Sequence, residues 1–278
     1  MNAVPSLPVW ANLPLDRPRL MGILNVTPDS FSDGGAYPSA QAAIAAGHAM
    51  AQAGADIIDI GGESTRPGAA PTPPDEEIRR TRPVIRALAE AGLRVSIDSR
   101  NAATMAAALD AGAAIVNDVS ALAHDPEAAP LIAARRVPVI LMHMRGTPAT
   151  MAAHAHYTDI AAEVATELAA RMAAAIAAGI APEAICLDPG IGFAKRAEHS
   201  IELLRRLPEI AALGRPLLVG VSRKGFIGRF SGVAAPANRL AGSLAAALFA
   251  LSRGAAILRV HDVAETTQAV RIWQALRG

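Results

Sequence analysis

One cysteine, Cys186, stands among 278 residues, which excludes an intramolecular disulfide or a thiolate metal cluster and fits a reducing compartment. Aromatic residues are only 3%, and 26 Lys+Arg against 25 Asp+Glu leave a formal net charge of +1. That composition argues against a nucleic-acid binder built on basic patches and stacking platforms. A long apolar run is missing too: the stretch free of charged residues from Gly34 to Ala55 is interrupted by Pro38, Gln41, Gly47, His48 and Gln52. No membrane span is therefore expected. Pro5, Pro8, Pro14 and Pro18 break the N-terminal segment, which lacks a basic start and an apolar h-region, so a cytoplasmic protein is expected. Neither a G-x-G-x-x-G turn nor a G-x-x-x-x-G-K-[ST] loop occurs, and GVSRK lacks the second glycine of a nucleophile elbow.

What the chain has is a 52% hydrophobic content with 18% charge, enough for a large core. β-Branched and Leu-rich runs alternate with Ala-rich stretches. Strands are expected at Arg19 to Leu24, Asp56 to Gly61, Arg94 to Asp98, Ala114 to Asn117, Val137 to Met142, Ala184 to Asp188, Pro216 to Gly220 and Ala256 to Val260. Helices are expected at Pro38 to Ala53, Pro74 to Ala91, Asn101 to Ala111, Asp125 to Arg135, Thr158 to Ala178, His199 to Leu207, Pro236 to Arg253 and Val263 to Leu276. Eight alternations favour an α/β fold consisting of a single (β/α)8 TIM barrel, because closure removes both sheet edges. Residues 1–18 read as a short, loose N-terminal arm, and residues 19–278 as one barrel domain.

In such a barrel the ligand site lies at the carboxyl ends of the strands. Here those ends are polar: Asn25; Asp59 with Glu63-Ser64-Thr65-Arg66; Asp98; Asn117-Asp118; His143 and Arg145; Asp188; Ser222-Arg223-Lys224; Arg259 and His261. Asp98, Asn117, Asp188 and Lys224 combine acceptors, an amide and an ammonium, which suits a flat heterocycle with amide and amino edges. Asn25, Thr65, Arg66, Arg259 and His261 offer an oxygen ligand for a hard cation and cationic donors, which suits a polyphosphate with Mg²⁺. Asp59, Glu63 and Asp118 are expected to orient their neighbours. Lys195 and Lys224 are the only lysines, the other 24 basic residues being Arg. Lys224 reads as functional, whereas Lys195 leaves a loop lysine equally open. His154 and His156 read as solvated loop residues, and Cys186 as core beneath the site.

These segments resemble the dihydropteroate synthases. The matching stretches are MGILNVTPDSFSDGG (Met21 to Gly35), DIGGESTRPG (Asp59 to Gly68), SIDS, VNDVSAL, MHMRGTP, LDPGIGFAK, VGVSRKGFIG and RVHDV. The resemblance implies condensation of 6-hydroxymethyl-7,8-dihydropterin pyrophosphate with 4-aminobenzoate, giving 7,8-dihydropteroate and pyrophosphate. It implies catalytic roles for Asp98, Lys224 and Arg66, and pterin binding by Asp98, Asn117, Asp188 and Lys224, with Met142 and Phe193 against the ring. It implies an Asn25 ligand to Mg²⁺ on the pyrophosphate, aided by Arg259 and His261. Thr65, Arg66, Pro67, Phe31 and Asp33 would fold over the aminobenzoate, which also meets Phe193, Lys224 and Ser222. A homodimer, competitive inhibition by sulfonamides, and no nucleic-acid or membrane partner are further expectations. Ala70-Pro71-Thr72-Pro73-Pro74 is richer in proline than the family pattern. A pterin-dependent methyltransferase would share the heterocycle pocket without needing the anion set. A catalytically silent pterin-binding paralogue is disfavoured by the intact site residues.

Overall fold

The computed structural model describes residues 9–27, 36–64 and 70–277. A two-stranded hairpin, β1 (Val9–Trp10) and β2 (Leu13–Pro14), precedes eight parallel strands. These are β3 (Arg19–Asn25), β4 (Ile57–Gly61), β5 (Val95–Asp98), β6 (Ile115–Asp118), β7 (Val139–Met142), β8 (Ile185–Asp188), β9 (Leu218–Val219) and β10 (Ile257–Val260). Helices α1 (Ala36–Gln52), α2 (Pro74–Glu90), α3 (Ala102–Asp110), α4 (Ala128–Arg135) and α5 (Ile160–Ala177) lie in the first part of the chain. They are followed by α6 (Ala197–Arg205), α7 (Leu207–Ala211), α8 (Gly225–Ser231), α9 (Leu240–Ser252) and α10 (Val263–Ala275). Sheet order is β8-β7-β6-β5-β4-β3-β10-β9. Its ends meet at a parallel bridge between Leu187 and Leu217, where the Leu187 amide donates to the Pro216 carbonyl at 2.9 Å. The (β/α)8 architecture expected from the alternation is thus the one observed.

Strand side chains alternate between two cores. One set, including Leu20, Leu24, Ile58, Ile60, Val95, Ile97, Val116, Val139, Leu141, Ile185, Leu187, Val219 and Leu258, packs with the helices. The other, Met21, Ile57, Ile115, Ile140, Cys186, Leu218 and Ile257, fills the barrel interior together with Trp10 and Leu13. Being covered on both faces explains why the strands read as continuous apolar runs. The Ala-rich helices suit this arrangement, since small side chains let them approach the sheet closely.

Residues 9–18 depart from the expected loose arm. Trp10 is only 1% exposed, and its indole Nε1 donates to the Ala184 carbonyl at 2.9 Å. The hairpin therefore plugs the amino-terminal end of the barrel. Arg19 fastens it, donating to the Pro14 carbonyl at 2.7 Å and pairing with Asp16 at 2.6 Å and Asp56 at 3.2 Å. Burial of one large apolar ring outweighs the proline content that suggested a free segment.

Helix boundaries also differ locally. The helix expected at His199 to Leu207 is two, α6 and α7, because Pro208 sits in the first turn of α7 and has no amide to extend α6. The stretch Pro236 to Arg253 is a 3₁₀ turn at Pro236–Asn238 followed by α9, and α8 was not expected. Asp125 serves the neighbouring helix as well as its own turn: it accepts from Glu127 N at 3.0 Å and from Ala102 N, at the start of α3, at 2.8 Å.

Replacing Trp10 by Ala is expected to lower unfolding stability by about 3–5 kcal/mol in a urea titration. An unchanged midpoint would show that the plug contributes little.

Candidate active site

Counting two residues onward from the apolar interior layer gives the polar ones. Ile57 leads to Asp59, Ser96 to Asp98, Ile115 to Asn117, Ile140 to Met142, Cys186 to Asp188 and Ile257 to Arg259. Two further on come Asn25, Ser222 and His261. The same alternation that fills the barrel therefore points this set into its mouth. Gly61 lies between two of them: a Cβ there would sit in ordinary contact with Asp98 Oδ2 at 3.6 Å and Asn25 Oδ1 at 3.8 Å.

Arg259 organises the floor. Its Nε donates to Asp59 Oδ2 at 2.6 Å and its Nη2 to Asp98 Oδ2 at 2.7 Å. Asn117 Nδ2 donates to the same Asp59 oxygen at 3.0 Å, leaving the amide oxygen of Asn117 as an acceptor. Asp59 is fully buried, and one of its oxygens holds both Arg259 and Asn117. Burial pushes the Asp98 carboxyl up to about 7 against the pull of Arg259, with the Asp59 charge adding to the rise. Burial also raises Asp188, although its Oδ1 accepts from the Gly190 amide at 2.7 Å. The two carboxyls thus lie on neighbouring parts of the mouth with their neutral forms favoured by burial.

Lys224 lies on the wall beside them. Its ammonium sits 4.0 Å from the centroid of the Phe193 ring, and burial lowers it to about 8. The turn carrying it is braced from behind. Arg223 has φ of 60° and pairs with Asp262 through Nε at 3.1 Å, while Arg239 Nη1 donates to the Arg223 carbonyl at 3.0 Å. Ser222 Oγ accepts from the His261 amide at 3.2 Å and meets His261 Nδ1 at 3.0 Å. Burial, followed by the charges of Arg223 and Arg259, lowers His261 to about 4. Burial, reinforced by the neighbouring cations, thus favours the neutral ring of His261.

Other strand-end residues turn away from the mouth. His143 Nε2 meets Glu167 Oε2 of α5 at 2.9 Å, and Arg145 pairs with Glu163 at 2.8 Å and with Glu167. Asp118 accepts from Ser120 N at 2.7 Å and Leu122 N at 3.0 Å, and Glu63 pairs with Arg100 at 3.0 Å. Glu63 also accepts from Thr72 N at 3.1 Å, tying the proline-rich segment to the barrel rim. His154 ends a 3₁₀ turn. His156 meets Arg196 Nη2 at 3.1 Å. Lys195 lies in the loop after β8 but is buried there, so it is not the mobile, solvated lysine that sequence left open; the scarcity of lysine was the available signal. Phe31, Asp33, Thr65, Arg66 and Pro67 lie outside the described residues. Among the described residues, no three His, Cys, Asp or Glu side chains converge on a metal position, and no helix is long and apolar enough to cross a membrane.

A parallel barrel whose strand ends present carboxylates, an amide and two cations at one mouth belongs to a recognisable class: residues 21–261 match the family of pterin binding enzymes. A dihydropteroate synthase from Neisseria meningitidis serogroup B is 50% identical over 268 residues, covering 94% of both chains. Among solved structures, the Xanthomonas albilineans dihydropteroate synthase with 4-aminobenzoic acid superposes with a TM-score of 0.91 at 49% identity, covering 96% of this chain and 95% of that one. The same enzyme in complex with 7,8-dihydropteroate gives a TM-score of 0.87 at 47% identity, covering 96% of each. The chain belongs to the dihydropteroate synthase family, whose members are transferases.

Removing the shared cation should expose its role. Arg259→Met leaves two buried carboxyls unpaired, with an expected loss of about 3–5 kcal/mol of stability at pH 8. A raised folded-state value, as at Asp98, gives stability that is full below the unfolded value and is lost as pH rises through the folded one. The deficit should therefore shrink as urea titrations are moved from pH 8 to pH 5. A deficit that does not vary with pH would contradict the electrostatic account.

Proposed function

We propose that this chain condenses 6-hydroxymethyl-7,8-dihydropterin pyrophosphate with 4-aminobenzoate, yielding 7,8-dihydropteroate and pyrophosphate. The supporting observation is the cluster of Asp98, Asn117 and Asp188 at the strand ends with Arg259 bound between Asp98 and Asp59. Acceptors of this kind suit the guanidine-like and amide edges of a pterin. Met142 and Phe193 supply apolar surface, and Lys224 reaches the ring carbonyl or the aminobenzoate carboxylate.

Asn25 suits Mg²⁺ carried by the substrate. It offers a neutral amide oxygen beside Gly61 and Asp98, and the lack of an acidic cage among the described residues fits an ion that keeps its waters and substrate phosphates. When bound, Mg²⁺ would neutralise charge on the departing pyrophosphate. Arg259 and the neutral donor His261 assist at the same corner, and Ser222 fixes the His261 ring. As the C–O bond to pyrophosphate lengthens, the pterin methylene carbon gains positive charge, which the Asp98 and Asp188 carboxylates stabilise. The aryl amine, neutral at pH 7, forms the new C–N bond and then releases its proton. Arg66 is the third catalytic residue of this reading; with Thr65, Pro67, Phe31 and Asp33 it covers the aminobenzoate, after the pterin ester has bound.

Sulfonamides, as aryl amines bearing an acidic para group, compete with 4-aminobenzoate in this reading. A cytoplasmic location and a homodimer complete it. The dimer is supported by Phe230, Phe249 and Ile272, which are 58%, 38% and 60% exposed on α8, α9 and α10.

A pyrophosphate-release assay with and without 4-aminobenzoate tests the reaction. Release that depends on 4-aminobenzoate is expected; a methyltransferase or silent binder releases none. With the pterin ester varied, kcat/KM should rise with pH through about 7 as Asp98 ionises and fall above about 8 as Lys224 loses its proton. Asp98→Asn should lower turnover about 10²- to 10³-fold and remove the rising limb, with the fold intact by circular dichroism. Tight aminobenzoate binding by calorimetry, without pyrophosphate or pterin ester, would contradict the ordered sequence.

A further inference from the structure

The loop between β8 and α6 is tied to the end of β7 through one side chain. Lys195 Nζ lies 2.9 Å from His143 Nδ1, 3.0 Å from the Phe193 carbonyl and 3.5 Å from the His143 carbonyl. An ammonium has three protons and no acceptor site, so these three acceptors match its full donor set. The contact to His143 Nδ1 requires that nitrogen to be unprotonated, which places the ring proton on Nε2, facing Glu167 Oε2 at 2.9 Å. Arg145 in turn holds Glu167. The loop has no slack elsewhere: a Cβ on Gly190 would lie 2.0 Å from the His143 carbonyl, and Tyr157 Oη donates to the Ala194 carbonyl at 3.0 Å.

Phe193 lies between this anchor and the site. Its carbonyl accepts from Lys195 on one side, while its ring faces the Lys224 ammonium at 4.0 Å on the other. We propose that Lys195 is a positioning residue which, by holding the Phe193 carbonyl against His143, sets the Phe193 ring on Lys224 and so shapes the aminobenzoate side of the pocket. Lys195 itself donates its protons within the loop and to β7, and none is left for substrate. This assignment rests on the synthase reading only where it concerns aminobenzoate; the placement of Phe193 on Lys224 can be read without turnover.

The anchor is sensitive to pH. Burial lowers Lys195 to about 7, with Asp188 of β8 and Glu167 of α5 opposing and Lys224 and Arg145 reinforcing. His143, lowered to about 4, and His199 of α6 also face it. Loss of the third proton leaves two donors for three acceptors, so the anchor as a whole loosens as pH rises.

Lysine labelled with ¹³C at Cε tests the assignment, because the chain has two lysines. In Lys195→Met the single remaining signal is Lys224. It should lose the ring-current shift imposed by Phe193 and coincide with the signal in the double variant Lys195→Met/Phe193→Ala. A signal that stays at its wild-type position overturns the proposal. In the synthase assay, Lys195→Met should raise KM for 4-aminobenzoate about 10-fold or more, in keeping with the cost of small misplacements near a reacting centre. The double variant should be no worse than Phe193→Ala alone; multiplicative losses would mean that Lys195 acts independently of Phe193 and overturn the proposal. A wild-type protein without turnover would sink the synthase reading and leave the spectroscopic result standing. Should Lys195→Met not fold, Lys195→Gln, which keeps two of the donors, is measured in the same way: a Lys224 signal displaced toward that of Phe193→Ala supports the assignment, and one that stays at its wild-type position overturns it.

Discussion

The floor of the barrel mouth depends on one guanidinium shared by two buried carboxylates. Asp59 and Asp98 come from neighbouring strands, and Arg259 from a strand on the other side of β3 reaches both. Without it, two negative charges would face each other out of water, at a cost that burial alone makes large. With it, Asp98 stays poised near neutrality and one Asp59 oxygen also fixes the Asn117 amide. The acceptor pattern of the floor is therefore set by charge pairing inside the protein before any ligand arrives, which is the preorganisation that electrostatic catalysis requires.

Around that floor the fold makes two kinds of wall. The β9 side is rigid: Ser222, Arg223 and Lys224 are braced by His261, Asp262 and Arg239, which fixes the direction of the Lys224 side chain. On the β8 side, Phe193 belongs to a loop whose position comes from hydrogen bonds to His143, just past β7, and to Tyr157, ahead of α5, rather than from strand pairing. The anion corner, with Asn25, Arg259 and His261, stands beside the carboxylate floor rather than apart from it. Arg259 belongs to both, and in the proposed reaction that continuity would couple the binding of a ring to the departure of its diphosphate.

Much of this was legible in the residues. The eight alternations gave the barrel, and polar strand ends gave the site, because period-2 geometry in a closed barrel sends alternate side chains inward. Trp10 was not legible as a plug, since four prolines in the first eighteen residues concealed the one ring that matters. His143 and Asp118 ended strands as Asp98 and Asp188 did, yet they turn away because they fall on the opposite parity; counting from Ile140 and Ile115 would have separated them. The lowering of His261 also lay beyond sequence, because it depends on how far the ring is buried and on which cations fold up against it. Lys195 was half legible: its rarity marked it, but only the fold shows that its partners are the His143 ring and the Phe193 carbonyl.

The most direct test is a crystal structure of the protein with the dihydropterin diphosphate ester in the barrel mouth. The account predicts the ring edge within hydrogen-bond distance of Asp98, Asn117 and Asp188, with the diphosphate against Arg259 and His261. A ring bound outside that ring of acceptors, or a diphosphate turned away from Arg259, would contradict it.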